Sequence, residues 1–136
     1  MAIYAFGASY GGKKDVSGDF VQRGIACVGW SPKDAPTLHT ILKHIKTGDV
    51  IYIKSHPPSI GLIIKAVGVA VDTKVRPYSG LGAGIGVRWV WTGKRQLGQI
   101  HGRYPVRNLT LFEEYDYDVQ KEIIDLLLGA PKKGGR

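Results

Sequence analysis

The sequence predicts an α+β fold in which five or six short strands curl into a small mixed barrel, flanked by two or three short helices. Three observations predict it. Short apolar runs recur along the chain, bounded by Gly, Pro, Asp or Ser. Only two stretches, 34–48 and 116–129, carry a longer apolar stripe at helical spacing. Glycine stands at 19 of 136 residues, which favours turns and strands over long helices. A small sheet removes its exposed edges by closing on itself, hence the barrel.

The elements follow in order. "IYAFGAS" (3–9) reads as a first strand. Asp15 or Ser17 can cap a short helix reaching Arg23. "GIACVGW" (24–30) is a second strand. Asp34 is a fair N-cap for the next helix, and Pro36 suits its first turn. Leu38, Ile41, Leu42 and Ile45 then form one stripe, with Gly48 ending the helix.

"DVIYIKS" (49–55) is the third strand, and "GLIIKAVGVAVD" (61–72) a fourth, with a bulge expected at Gly68. "RPYSGLGAGIG" (76–86) reads as a glycine-rich loop. "VRWVWTG" (87–93) is a fifth strand with Val87, Trp89 and Trp91 on one face. "VRNLTLFE" (106–113) is a sixth. Residues 116–129 form the last helix, capped by Asp116 or Asp118, with Val119, Ile123, Leu126 and Leu127 inward and Gly129 at its end.

The length suits one domain, 1–129, followed by a basic disordered tail, 130–136. No apolar run reaches the ~20 residues of a membrane span, so no membrane partner is expected. The start, "MAIYAFGAS", lacks the pattern of a signal peptide, which predicts a cytoplasmic protein. Cys27 is the only cysteine and lies in an apolar run; a buried thiol is the favoured reading and a reactive one the lesser.

Charge is uneven. Residues 1–107 carry 15 Lys or Arg against 5 acids, residues 108–128 are acidic, and the net charge is +8. A basic body suggests an anionic partner, nucleic acid or a phosphorylated small molecule; the plain alternative is solubility alone.

Signatures of catalysis are mostly missing. His39, His44, His56 and His101 are scattered, no site has metal-ligand spacing, no Ser sits in a nucleophile elbow, and no motif asks for a cofactor. Asp15, Asp19, Asp34, Asp49 and Asp72 fall at turns or helix starts, where capping explains most of them. "GLGAGIG" (80–86) could expose an anion nest, but a strand rather than a helix follows it, so a flexible hairpin connection is favoured.

Four other features carry more. "GDVIYIKSHPP" (48–58) is a core strand ending in Lys54, Ser55 and His56 against Pro57 and Pro58. It reads either as a plain solvated strand end or as the polar rim of a pocket, held in direction by the fixed φ of proline. Lys65 interrupts an apolar strand; it either snorkels outward or places a cation in the barrel mouth near Lys54. Trp30, at a strand end beside polar turn residues, can offer a flat face to a base, where stacking is worth ~1–3 kcal/mol. Tyr10 and Trp89 are either core aromatics or further walls.

Taken in order, "GASYGG" (7–12), "DF" (19–20), "GIACVGW" (24–30), "GDVIYIKS" (48–55), "LIIKAVGV" (62–69) and "GVRWVW" (86–91) resemble the PUA-like superfamily. The resemblance is nearest to EVE-type domains and the small N-terminal reader domains of restriction-type ATPases, and covers residues 3–93. It implies a mixed pseudo-barrel with a cleft for a nucleobase, modified or not. By that resemblance Tyr10, Trp30 and Trp89 would be walls or stacking groups, and Lys54 and Ser55 would bond a base edge or phosphate. "HPPSIGL" (56–62) departs from it, because a longer basic insertion follows the Lys-Ser pair in those readers.

The expectation is therefore a non-enzymatic binding module for a nucleobase or nucleotide, reading nucleic acid through Tyr10, Trp30, Lys54, Ser55, His56, Lys65 and Trp89, with no cofactor and no metal. The alternative is a stand-alone sensor or sequestering protein for a free nucleotide-type signal. An enzyme acting on RNA or a nucleoside, with His56 or His101 as acid or base, ranks last.

Overall fold

The computed structural model describes residues 1–100 and 109–129. Its strands are β1 (Ile3–Gly7), β2 (Ser9–Tyr10), β3 (Lys14–Asp15), β4 (Ile25–Val28), β5 (Val50–Ser55), β6 (Leu62–Tyr78), β7 (Gly82–Gly98) and β8 (Leu111–Glu113). The helices are α1 (Ser17–Arg23), α2 (Pro36–His44) and α3 (Tyr117–Leu128). Six strands form one mixed sheet in the order β4-β7-β6-β5-β1-β8, and β2 pairs with β3 in a separate ribbon. Among the described strands only β1 and β5 run parallel. β4 and β1 are not hydrogen-bonded neighbours, yet they approach each other, so the sheet curls into a half-barrel.

Alternation along the strands divides the core. Tyr4, Phe6, Ile51, Ile53, Ala66 and Ala70 point to one face and pack with Phe20 of α1 and Leu42 of α2. Ile3, Ala5, Val50, Tyr52, Ile64 and Val67 point to the other and pack with Val119 and Ile123 of α3. Strands β1 and β5 are covered on both faces, which is why they read as unbroken apolar runs. On the α3 side the buried Tyr52 hydroxyl donates to Glu114 Oε1 at 2.6 Å, and Glu114 Oε2 accepts the Asp116 N–H at 3.1 Å. That chain ties the middle of the sheet to the start of α3.

The helix ends match and depart from expectation in specific ways. Asp116 caps α3 by accepting the Val119 N–H, and Gly129 closes it in the left-handed conformation. Neither Asp15 nor Ser17 holds the N-cap of α1: Val16 does, without a side-chain cap bond, and Asp15 just before it accepts the N–H and the hydroxyl of Ser17. Asp34 does not cap α2: Ala35 holds the N-cap position and Pro36 starts the helix. Gly48 does not end α2 either. The helix stops at His44 with Ile45 extended, and Gly48 makes the turn into β5 with φ +96°.

The largest departure is the glycine-rich segment. It is not a loop over 76–86: β6 and β7 form a long hairpin of 17 residues each, turning at 79–81. Gly84 lies in β7 because β4 presses on it; a Cβ there would overlap Cys27 Sγ and the Ala26 carbonyl. Cys27 itself is wholly buried, and burial pushes its thiol up to about 12.

Trp89 and Trp91 do not share a face. Val67 pairs with Trp91 and the next residue, Gly68, with Trp89, so β7 holds one extra residue, Val90, at this point. The one-residue slip sends Trp89 to the α1 side and Trp91 to the α3 side. The irregularity falls opposite Gly68, but its extra residue is on β7 rather than on β6 as expected, and it overturns the simple alternation expected for β7. Of the expected sixth strand, 111–113 is seen; 106–108, His101 and the tail 130–136 lie outside the described residues.

Candidate functional site

The parallel pair β1 and β5 end side by side, at Gly7 and Ser55. Beyond those ends lies a hollow of about 240 Å³ lined by Gly7, Ala8, Ser9, Gly12, Lys54, Ser55, His56, Lys65 and Thr110. Four sequence-predicted residues, Lys54, Ser55, His56 and Lys65, therefore meet in one place.

A bulge brings the two lysines together. Ile53 pairs with Ala66, but Lys54 pairs with Ile64, so Lys65 is the extra residue of β6. Bulges bend a strand and re-aim its side chains. Here the bulge turns Lys65 out of the apolar ladder, where its ammonium bonds Asp15 Oδ2 at 2.9 Å. Burial raises the Asp15 carboxyl, but hydrogen bonds from the Ser17 hydroxyl and N–H and from Lys65 outweigh it and bring it down to about 2. A second hollow, about 290 Å³, lies on the other flank of this ion pair, lined by Ser17, Gly18, Thr92 and Lys94 among others.

Lys54 is the more deeply set cation, 9% exposed. Its ammonium lies 5.9 Å from the centre of the Phe112 ring and 3.6 Å from where a Gly7 Cβ would stand. Removal from water disfavours the charged form and brings its pKa down to about 8. The lack of a side chain at Gly7 leaves room beside that ammonium.

The aromatic residues divide. Trp30 is 56% exposed, and its Nε1 donates to Thr110 Oγ1 at 3.2 Å, so the indole stands at the rim through a residue of the wall. Its carbonyl accepts from His39 Nε2 at 2.7 Å, which fixes the tautomer of that buried histidine and steadies the turn. Tyr10 does not line the hollow: its hydroxyl donates to the Leu81 carbonyl at 2.6 Å and its ring meets Phe20 edge-on. Trp89 does not line it either, because the bulge at Val90 turns it into the core, where Nε1 donates to the Phe20 carbonyl at 3.0 Å. Of Trp30, Lys54 and Trp89, only Lys54 lines the hollow; Trp30 reaches it only through its bond to Thr110, and Trp89 is turned away.

Sequence reasoning missed Ser9, Gly12 and Thr110 in the wall. The first two sit in "GASYGG", whose small residues after a strand were a usable signal; Thr110 carried none. The β2–β3 ribbon borders the hollow at Ser9 and Gly12, and its Lys13 and Lys14 are exposed. Among the described residues no group of acids, histidines and cysteine could hold a metal ion. No helix among them is long and apolar enough to cross a membrane. A comparison with protein-family models and with curated proteins finds no match for this chain.

Proposed function

We propose that the chain is a binding module for a nucleotide-type ligand, taken up in the hollow at the ends of β1 and β5. The observation that carries this reading is the meeting of Lys54 and Lys65, from different strands, in one small polar-walled hollow. Two ammonium groups, the Ser55 hydroxyl and the imidazole of His56 suit a phosphate or the acceptor edge of a base. The exposed indole of Trp30 at the rim offers a stacking face to the base. At about 240 Å³ the hollow is below the ~300–1,000 Å³ of pockets for larger ligands, which suits one base or one sugar phosphate.

Nucleic acid is the preferred form of the ligand. Lys13 and Lys14 stand exposed on the ribbon beside the hollow, and their charge supports contact with flanking phosphates. The test is binding of a labelled single-stranded oligonucleotide at two salt concentrations. Contact with several phosphates predicts a loss of an order of magnitude or more between about 50 and 200 mM salt. A flat salt response together with tight calorimetric binding of a mononucleotide selects the second reading, a sensor for a free nucleotide. That reading is favoured by one observation, the short proline-stiffened "HPPSIGL" connection between β5 and β6. The resemblance to PUA-like readers agrees with either form and is part of the proposal.

A further inference from the structure

Two hollows meet at Lys65. The first, at the ends of β1 and β5, has Lys65 in its wall, and the second, of about 290 Å³, has Lys65 and Asp15 in its own. The ion pair is therefore a saddle between two concavities of similar size rather than the edge of one. A single nucleotide in the first hollow leaves the second unused. Gly18 and Val21 of α1 and Ala66 of β6 give the second hollow small, mostly apolar walls, and a Cβ at Gly18 would meet nothing within 4 Å. With them stand the hydroxyls of Ser17 and Thr92 and the exposed Lys94. A few polar groups among apolar walls suit a sugar or a base. Asp15 is held by the Ser17 N–H and hydroxyl and by Lys65. A carboxylate takes about four hydrogen bonds, so Asp15 can also accept from a sugar hydroxyl or a base amino group. The Lys65 ammonium has three donors, one of which goes to Asp15, and its side chain is 23% exposed, which leaves it accessible to an anion laid across the saddle.

We infer that the ligand is a single strand of at least two nucleotides laid across Lys65. One nucleotide sits in the first hollow, the joining phosphodiester rests on the Lys65 ammonium, and the neighbouring nucleoside enters the second hollow beside Lys94. The inference rests on the nucleotide reading and narrows its ligand to single-stranded nucleic acid over a free mononucleotide. The shared side chain carries it: consecutive nucleosides are separated by one phosphodiester, and the two hollows by one lysine–carboxylate pair. Only a linked ligand engages both hollows at once, and linking raises affinity beyond that of either unit alone. A duplex is disfavoured, because each base turned into a hollow would first have to leave its stack and its partner, a cost that a single strand largely escapes.

The test is calorimetry on the full chain with 5′-phosphorylated homodinucleotides of each base, ribo and deoxy, each beside its own mononucleotide. At least one dinucleotide is expected to bind about tenfold tighter than its mononucleotide, or more. A neutral methylphosphonate in place of the joining phosphate is expected to lose most of that gain, because Lys65 then has no charge to meet. Gly18→Leu, which fills the second hollow from a helix position with free space around it, and Lys94→Ala, on an exposed stretch of β7, are each expected to bring the ratio of the two affinities down toward one. Melting curves of both variants show that they are folded, and the ratio is read within each protein. A dinucleotide no tighter than its mononucleotide, a methylphosphonate as tight as the phosphodiester, or a ratio that survives both substitutions overturns the inference and leaves the nucleotide reading standing. Failure of every mononucleotide and dinucleotide to bind overturns both.

Discussion

Lys65 and Asp15 form the ion pair that joins the bulge of β6 to the β2–β3 ribbon, with Nζ and Oδ2 2.9 Å apart. The Asp15 side chain is 57% exposed, so the pair adds little to stability. Its effect is on charge: the carboxylate offsets one of the two ammonium groups of the hollow. Asp15→Asn is therefore expected to tighten binding of an anionic ligand several-fold and to leave the melting temperature within a few degrees of the parent. Loosened binding in that variant would mean that the ribbon's position, rather than the local charge, governs the site.

Lys54 makes stability depend on pH in a stated direction. Its folded pKa of about 8 lies below the ordinary lysine value of 10.5, so between those values the unfolded chain holds a proton that the folded chain has released. The cost of burying the ammonium is present in full below the folded pKa and is relieved as pH rises through it. Compared with Lys54→Met, the native chain should gain stability on the order of 2 kcal/mol between neutral pH and about pH 10.5. Parallel denaturant titrations of the two proteins check it. A constant difference across that range would show that Lys54 titrates as in water.

Anion binding at the same residue follows the opposite trend. A phosphate beside Lys54 favours the charged amine, so affinity should fall as pH climbs through about 8. The neighbouring groups that share the hollow are His56 and Lys65, with Asp15 paired to the latter. Lys54→Arg, whose guanidinium keeps its charge, should show a smaller fall over the same range. Calorimetric affinities at a series of pH values decide between the two profiles.

Trp30 provides the test of the stacking face. Its indole is the most exposed of the three tryptophans, and its ring bond to Thr110 is at the surface. Trp30→Ala should weaken nucleotide binding by ~1–3 kcal/mol. Trp89→Phe should leave binding unchanged and lower the melting temperature, because it loses the bond to the Phe20 carbonyl inside the core. Equal effects of the two substitutions on affinity would remove Trp30 from the site.

What the sequence disclosed depends on how local each cause is. The strands β1 and β5 were legible because strands buried on both faces read as continuous apolar runs; their parallel pairing was not, because no local spacing records it. The α3 cap was legible because Asp116 acts within its own turn. Lys54 and Lys65 stood out because a lysine in an apolar strand is costly, and that cost has a local reason to be met. Trp89 misled because a bulge depends on pairing with β6, and no spacing within β7 records it. Tyr10 misled because its hydroxyl is met by the Leu81 carbonyl, 71 residues away in the chain. Thr110 was silent for the same reason: only the folded sheet brings it beside Gly7, whose N–H it accepts through its carbonyl at 2.7 Å.

The glycine-rich segment, misread as a loop, yields a prediction of its own. Two of its glycines, Gly82 and Gly84, are explained by close approach of β4; Gly80 sits in the turn with φ +77°, and Gly86 lies against Asp72 of β6. Gly84→Ala would drive a methyl group into the Ala26 carbonyl and Cys27 sulfur, and backbone cannot step aside as a side-chain tip can. The expected cost is ~1–3 kcal/mol, which for a chain of this size lowers the melting temperature by roughly 4–12 °C. Gly18→Ala is the matched control. Gly18 lies in α1, faces open space, and its φ is not in the left-handed range. There the same methyl group should stabilise by ~0.4–1 kcal/mol, by restricting the unfolded chain. Melting both variants beside the parent separates the two accounts: if Gly84→Ala melts with the parent, β4 does not press on β7 as described, and the hairpin is free to flex.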